Sequence, residues 1–197
     1  MSSRSNRKPV LVLASASPRR RELLTQIGVS FEAIVAGIEE VPQPGESPAD
    51  FVLRMAREKA LEVLGTGDHE IPVLGSDTAV ILGNEILGKP NDRGEAMSML
   101  NRLSGRTHEV YSAVAVAVTP GEIHEALNIT RVTFAELDQD WIEAYCDTGD
   151  PMDKAGAYGV QGKAAEKISR IEGSFYGVMG LPLFETAQLL KRAKVLF

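Results

Sequence analysis

The sequence contains few of the residues that most often hold metals or cross-link a chain. It has one cysteine, Cys146, and three histidines, His69, His108 and His124. A single cysteine excludes an internal disulfide and a cysteine-based zinc cluster, and the histidines do not have the spacing of metal ligands. If the protein uses a metal, carboxylates must therefore hold it.

Long apolar segments and a strong positive charge are also absent. The longest uninterrupted apolar run, residues 113–118, is far shorter than the ~20 residues of a membrane-spanning helix. No signal-peptide core follows the first residues. The 197 residues are 44% hydrophobic and 24% charged with a net charge of −6, as in ordinary globular proteins and not in general nucleic-acid binders. We therefore expect a cytoplasmic protein with no membrane or nucleic-acid partner.

Three common catalytic signatures are missing as well. The sequence has no G-x-x-x-x-G-K-[ST] motif, no G-x-G-x-x-G after a predicted strand and no G-x-S-x-G. These absences argue against a P-loop nucleotidase, a Rossmann dinucleotide site and a serine hydrolase of the α/β-hydrolase type.

The segment 14–24 joins a short apolar strand to a helix that begins with anion-binding groups. Ser17 is placed to cap the helix, Pro18 suits its first turn, and Gly28 ends it. Free N–H groups, two serine hydroxyls and the arginines at 19–21 converge at this end, which suits a phosphorylated ligand. An ordinary capped helix with solvated arginines is the alternative interpretation.

The order of predicted elements indicates one domain. Residues 1–9 are interpreted as a frayed extension and residues 10–197 as a single domain. Strands that alternate with helices, together with long hairpins, predict an α/β fold with a strongly twisted mixed sheet flanked by helices. Near the C-terminus, strands are predicted at 164–171 and 174–178, before a closing helix.

Several polar residues stand where the surrounding pattern favours apolar ones. Asp77 lies between two apolar runs, where an unpaired carboxylate would be costly unless it binds a cation or water. Glu39 and Glu40 follow a predicted strand and could hold Mg²⁺ or Mn²⁺ together with Asp77. The alternatives are that Asp77 forms a turn and that the glutamates are solvated loop residues.

Lysines mark three further positions. Lys59 shares the apolar face of a predicted helix, so it either snorkels to solvent or points into a pocket. Lys89 is held between Gly88 and Pro90, in a stiff turn. Lys154 belongs to the glycine-rich loop 153–162, which permits close backbone approach to a ligand but also resembles a flexible surface loop.

Six motifs together resemble the Maf family, over residues 10–191. They are ASASPRR from residue 14, GSDT from 75, GKP from 88, LSG from 103, DKAGAYGVQG from 153 and GLP from 180. The resemblance is to the branch that hydrolyses dTTP and UTP to the nucleoside monophosphate and pyrophosphate with a divalent metal. It implies a two-lobed fold with a central cleft, similar to inosine triphosphate pyrophosphatases, and a homodimer.

The resemblance also implies roles for individual residues. Asp77 corresponds to the general base, and Glu40 and Asp77 to the metal-site carboxylates. The positions around the nucleotide, of which Arg19, Thr78 and Gln161 mark the dTTP/UTP branch, are Ser15, Arg19, Arg20, Lys59, Thr78, Lys89, Lys154 and Gln161. Two alternatives stay open at this point: a pyrophosphatase for purine or modified nucleotides, and a nucleotide-binding regulator of cell division without essential catalysis.

Overall fold

The computed structural model describes residues 8–67 and 70–197, so most of the predicted extension at 1–9 lies outside the described residues. The strands are β1 Leu11–Ala14, β2 Phe31–Ile34, β3 Val73–Leu82, β4 Glu85–Leu87, β5 Thr107–Thr119, β6 Glu122–Phe134 and β7 Ile168–Glu172. The α-helices are α1 Pro18–Gln26, α2 Pro48–Gly65, α3 Arg93–Leu103, α4 Gln139–Cys146, α5 Phe175–Met179 and α6 Leu183–Arg192. Within these two ranges, none of the helices has the length and hydrophobicity needed to span a bilayer.

The strands form one seven-stranded mixed sheet, in the order β2-β1-β3-β5-β6-β7. Strand β1 is parallel to β2 and β3, whereas β5, β6 and β7 add on as antiparallel neighbours. Strand β4 pairs with the last residues of β3 on the same edge as β1. The predicted mixed sheet flanked by helices is therefore confirmed.

One face of the sheet carries two separate apolar clusters. Helices α1 and α6 pack over β1 and the start of β3, and helices α3 and α4 pack over the far end of β3 and β6. Between the clusters the inward side chains turn polar, since Ser76 and Thr78 on β3 and Ser112 on β5 occupy this face. This polar belt lies between the two clusters: Thr78 lines the cleft, and the buried Ser76 and Ser112 donate to the carbonyls of Gly180 and Gly177.

Helix α2 covers the opposite face at very short range. Its buried residues Met55, Ala56 and Ala60 lie against a surface of small side chains. The small residues of the sheet on this side are Gly75, Ala79, Ala113, Ala115 and Ala117. Because these residues project so little, the helix approaches the backbone of β3 closely, and Lys59 on the same helix face is carried onto the sheet.

Two predictions near the C-terminus are wrong. The strand predicted at 174–178 is replaced by helix α5 and its N-cap Ser174, whose hydroxyl accepts a hydrogen bond from the Gly177 N–H. Gly180, with φ of 113°, ends that turn. Strand β7 begins only at Ile168, because residues 163–167 form a 3₁₀ turn.

The close approach of α2 makes a stability prediction for Gly75. A Cβ at this position would lie 2.1 Å from the Ala56 carbonyl oxygen and 2.8 Å from the Ala60 nitrogen. Gly75→Ala must push the helix away from the sheet, and we expect it to lower the free energy of unfolding by about 1–3 kcal/mol. Urea unfolding followed by circular dichroism measures the loss.

A matched glycine-to-alanine substitution at the end of helix α2 provides the control. A Cβ added to Gly65, at the end of α2, would have no neighbouring atom within 4 Å, so Gly65→Ala should be neutral or stabilising by up to about 1 kcal/mol. Equal stability of the Gly75→Ala variant and the wild type would show that helix and sheet are not in tight contact.

Candidate active site

A cavity of about 380 Å³ lies beside the middle of β3, at the edge of this strand where β1 and β4 pair only with its two ends. Strand β1 pairs with Val73 and Leu74, and β4 pairs with Val80 and the residues after it. Among the described residues no strand pairs with 75–79 on this edge, and Asp77 and Thr78 of this segment, which point to opposite faces of the sheet, both line the cavity. Asp77 reaches the cavity from the α2 face and Thr78 from the polar belt.

Asp77 lies in the middle of a continuous strand and does not form a turn. It is 6% exposed, and its Oδ1 accepts a hydrogen bond of 2.7 Å from the Lys59 ammonium. The same ammonium is 2.8 Å from Oε1 of Glu40, in the loop that follows β2. One buried cation is therefore shared by two carboxylates at the end of the cavity.

The charges around Glu40 favour its ionised form. Partial burial raises the pKa of this carboxyl, but the hydrogen bond from Lys59 and the positive charges of Lys59, Lys89 and Arg20 outweigh it. The net result is a pKa below the ordinary value for glutamate. Glu40 is consequently a carboxylate at neutral pH, as a metal ligand must be.

Arg20 connects the start of α1 to the polar belt. Its Nε donates to the Gly180 carbonyl at 2.9 Å, and its two terminal nitrogens donate to Ser15 Oγ at 3.2 Å and Thr78 Oγ1 at 3.4 Å. The Gly180 carbonyl also accepts from Ser76. Burial lowers the pKa of the guanidinium although the charges of Asp77 and Glu40 raise it. The side chain is thus fixed at one position before any ligand binds.

The first turn of α1 has the arrangement that the sequence predicts. The Ser17 hydroxyl accepts from the Arg20 N–H, and the Ser15 hydroxyl accepts from the Ser17 N–H. Residues 14–20 all line the cavity. The helix N-terminus, with its partial positive charge, is therefore directed at the same space as the cationic side chains.

The loop after α4 contributes a third group of charges. Lys154 donates to Oδ1 of Asp150 at 2.8 Å and to Oδ1 of Asp153 at 2.7 Å. Arg19 lies 3.9 Å from the other oxygen of Asp153. Lys154, Asp153 and Arg19 line the cavity, so a bound anion would meet cations that acidic neighbours already hold.

Backbone contacts bring Lys89 to the same place. The Gly156 N–H donates to the Gly88 carbonyl at 3.0 Å and ties the loop of Lys154 to the turn after β4. Gly156 has φ of 67°, and a Cβ there would lie 2.9 Å from Val80, so this position requires glycine twice over. Lys89 is exposed and lines the cavity.

Of the residues predicted for the site, all but Glu39 and Gln161 line this one cavity. The predicted metal ligands Glu40 and Asp77 are among them. The predicted substrate positions that line the cavity are Ser15, Arg19, Arg20, Lys59, Thr78, Lys89 and Lys154. Gln161 is exposed, one residue beyond Val160, which does line the cavity. Its expected contact with the base stays a prediction.

Two residues of the site were not predicted from the sequence. Asp153 holds Lys154 and Arg19, and Tyr158 forms part of the cavity wall while its hydroxyl lies 2.7 Å from Nε2 of the buried His108. Burial raises the pKa of Tyr158, so the phenol stays neutral. The sequence signal that points to this pair is His108, a polar residue in a predicted strand with many apolar residues. Its partner Tyr158 lies 50 residues further along the chain.

The charges that line the cavity are unbalanced. Five cationic side chains face three carboxylates, Glu40, Asp77 and Asp153, although the whole chain is acidic. An excess of positive charge in a recessed space attracts a polyanion, and each cation at about 4 Å contributes about 4 kcal/mol at an effective dielectric of ~20 before desolvation is subtracted. The arrangement suits a ligand with several phosphates.

Comparison with known proteins gives an independent result. The model of the family described as Maf-like protein matches residues 10–193. A protein of Cupriavidus pinatubonensis named dTTP/UTP pyrophosphatase is 53% identical over 197 residues, covering 95% of this chain and 98% of that protein. A protein of Escherichia coli O6:K15:H31 with the same name is 50% identical over 186 residues, covering 94% of each chain.

Among solved structures, the HAM1 protein from Coxiella burnetii is 17% identical with a TM-score of 0.49, and the match covers 92% of this chain and 98% of that chain.

Burial of His108 next to the cavity wall gives a prediction for stability against pH. Burial lowers the pKa of His108 to about 4, against roughly 6.5 in an unfolded chain. Between these values the unfolded chain binds more protons, so His108 lowers stability as the pH falls from about 6.5 to 4, by up to about 3 kcal/mol. His108→Gln keeps a partner for Tyr158 but does not titrate, and its unfolding free energy should decline less steeply over this range.

Urea unfolding at several pH values that span those two pKa values measures the difference between variant and wild type. His124→Gln, which removes a histidine beside Glu122 on β6, controls for the loss of a histidine as such. Parallel pH curves for wild type and His108→Gln would contradict the assignment.

Proposed function

We propose that this chain, which belongs to the Maf-like protein family, hydrolyses dTTP and UTP between the α- and β-phosphates and releases the nucleoside monophosphate and pyrophosphate. The observation that carries the proposal is Asp77, a buried carboxylate at the open edge of β3 among five cationic side chains. The names of the two relatives at 50% and 53% identity support the choice of nucleotide.

The surroundings of Asp77 suit a general base. Lys59 holds Oδ1, and within the described part of the chain Oδ2 has no hydrogen-bond donor. Oδ2 is therefore free to accept a proton from a water molecule that attacks the α-phosphorus. As the new P–O bond forms, the bond from the α-phosphorus to the bridging oxygen breaks, and the electron pair leaves with pyrophosphate.

The cationic residues stabilise the charge that develops in this reaction. Negative charge grows on the non-bridging oxygens and on the departing pyrophosphate. Arg20 is already fixed by Gly180 and Ser15, and Lys154 by two aspartates, so little reorganisation is needed when the charge develops. Preorganised cations of this kind lower the barrier more than mobile ones.

A divalent cation fits the same carboxylates. Glu40 and Asp77 supply hard oxygen donors that both contact one nitrogen, so they lie close enough together for one ion to meet both. Among the described residues no group of three or more His, Cys, Asp or Glu side chains could hold a metal, so substrate oxygens and water would complete the shell, as is usual for Mg²⁺. Such an ion would neutralise charge on the phosphate oxygens.

The general-base role is tested by Asp77→Asn. Loss of the base should lower kcat by about 10²–10⁴-fold for dTTP and UTP, and circular dichroism at the assay temperature shows that the variant is folded. Pyrophosphate and orthophosphate are measured separately in the presence of Mg²⁺ or Mn²⁺, and a parallel reaction with EDTA tests the metal. Asp147→Asn, at an exposed aspartate paired with Arg93, is the control.

The outcomes of this experiment separate the alternatives. Pyrophosphate without orthophosphate indicates cleavage at the α–β bond, whereas orthophosphate alone would exclude it. Near-normal turnover by Asp77→Asn would defeat the mechanism, and nucleotide binding without turnover by the wild type would favour the regulator.

The base preference is tested at Gln161. The amide can both donate to and accept from uracil or thymine, so Gln161→Glu should raise KM for UTP and dTTP by about tenfold and affect a purine triphosphate less. Because Gln161 is exposed and lies one residue beyond the cavity wall, the proposal requires its side chain to turn toward the base when the nucleotide binds. Gln139→Glu, at an exposed glutamine on α4, is the control, and an unchanged substrate panel would exclude the contact.

The predicted homodimer, cytoplasmic location and absence of a nucleic-acid or membrane partner stay predictions. Size-exclusion chromatography with light scattering would measure the oligomeric state directly.

A further inference from the structure

The ammonium of Lys59 occupies the place where the two proposed metal ligands come together. It lies 2.7 Å from Asp77 and 2.8 Å from Glu40, and the lysine is 7% exposed. Lys59 belongs to the part of α2 that is in tight contact with the sheet, where Ala56 and Ala60 lie against Gly75. The position of this charge is therefore set by the fold and not by a mobile surface side chain.

An ammonium and a divalent cation cannot both occupy this position. Lys59 takes one oxygen of each carboxylate, so a divalent cation that met both carboxylates at this point would lie next to the ammonium, and two such positive centres repel strongly. Without Lys59, the two carboxylates would in turn repel each other in a poorly solvated place. The lysine thus neutralises part of their charge when no nucleotide is bound.

We propose that Lys59 is a built-in competitor of the metal, which keeps the divalent cation from binding tightly to the nucleotide-free protein. The inference rests on the proposed function, because the phosphates of a nucleotide give the ammonium a replacement partner. Once the ammonium contacts phosphate, Glu40 and Asp77 are free to take the metal that the nucleotide carries. The metal and the nucleotide are then bound together, and the metal alone is bound weakly.

The other cations of the cavity do not have this arrangement. Arg20 donates to a backbone carbonyl and to Ser15, and Lys154 is held by Asp150 and Asp153. Lys89 influences Glu40 through its charge but has no hydrogen bond to it in the described structure. Lys59 alone among these four cations contacts both carboxylates.

The test is the binding of Mn²⁺ alone to the nucleotide-free protein. Free Mn²⁺ is measured by electron paramagnetic resonance during titration of the wild type, Lys59→Met and Lys89→Met. Both substitutions remove one positive charge from the cavity, but only Lys59→Met removes the contact with the carboxylates. We expect Lys59→Met to bind Mn²⁺ at least about tenfold more tightly than the wild type, and Lys89→Met to gain clearly less.

Other results overturn the inference. Unchanged or weaker Mn²⁺ binding by Lys59→Met would show that the lysine supports the metal site and does not compete for it. Equal gains in both variants would indicate only the general loss of positive charge. Where Lys59→Met does not fold, Lys59→Gln decides in the same way, because its amide can donate hydrogen bonds to the carboxylates without carrying charge.

Failure of the inference is distinguishable from failure of the proposed function. If the wild type releases pyrophosphate from dTTP but neither Lys59 variant gains affinity for Mn²⁺, the proposed function is supported and the competition between Lys59 and the metal is wrong. If the variants bind Mn²⁺ more tightly but the wild type does not hydrolyse dTTP or UTP, the competition is supported and the proposed function is wrong.

Discussion

The close contact between helix α2 and strand β3 is the constraint on which the site depends. Gly75 provides the space for the helix backbone, and the alanines of β5 leave the α2 side of the sheet without large side chains. Only at this separation does the Lys59 side chain reach Asp77 at 2.7 Å. A packing requirement between a helix and a sheet therefore fixes the distance between a cation and a carboxylate.

The second constraint is the interruption of apolar packing on the other face. The buried residues under α1 and α6 and those under α3 and α4 form separate clusters, because Ser76, Thr78 and Ser112 lie between them. The two clusters are bridged by partly buried side chains, Ile168, Ile171 and Val178. These hydroxyls are satisfied by the carbonyls of Gly177 and Gly180, so the polar belt carries little penalty for being buried. The cleft thus follows from where the sheet stops being apolar.

How far the sequence determines these features differs from one element to the next. Local signals identify the start of α1, where Ser17 and Pro18 act on their own turn, and the polar exception at Asp77. The strand predicted at 174–178 is a helix, because Ser174 and Gly180 act as caps and outweigh the apolar residues between them. The shared contact of Lys59 with Glu40 and Asp77 joins three distant segments, and no local pattern contains it.

The charged side chains of the site fall into two groups, those attached to the sheet and its packed helices and those in loops. Asp77, Lys59 and Arg20 are attached to the sheet and to two helices packed on it, and each has partners in the rigid frame. Lys89 and Lys154 belong to loops that one backbone hydrogen bond, from Gly156 to Gly88, ties together. In the proposed reaction the rigid group would define the position of the α-phosphorus, since an error of about an ångström there would misalign the attack. Within the loop group Lys154 is held by Asp150 and Asp153, so the exposed Lys89 has the greater freedom to follow the remaining phosphates. The two groups are nevertheless connected, because Thr78, one of the residues expected to mark the dTTP/UTP preference, lies on β3 beside Asp77 and accepts a hydrogen bond from Arg20.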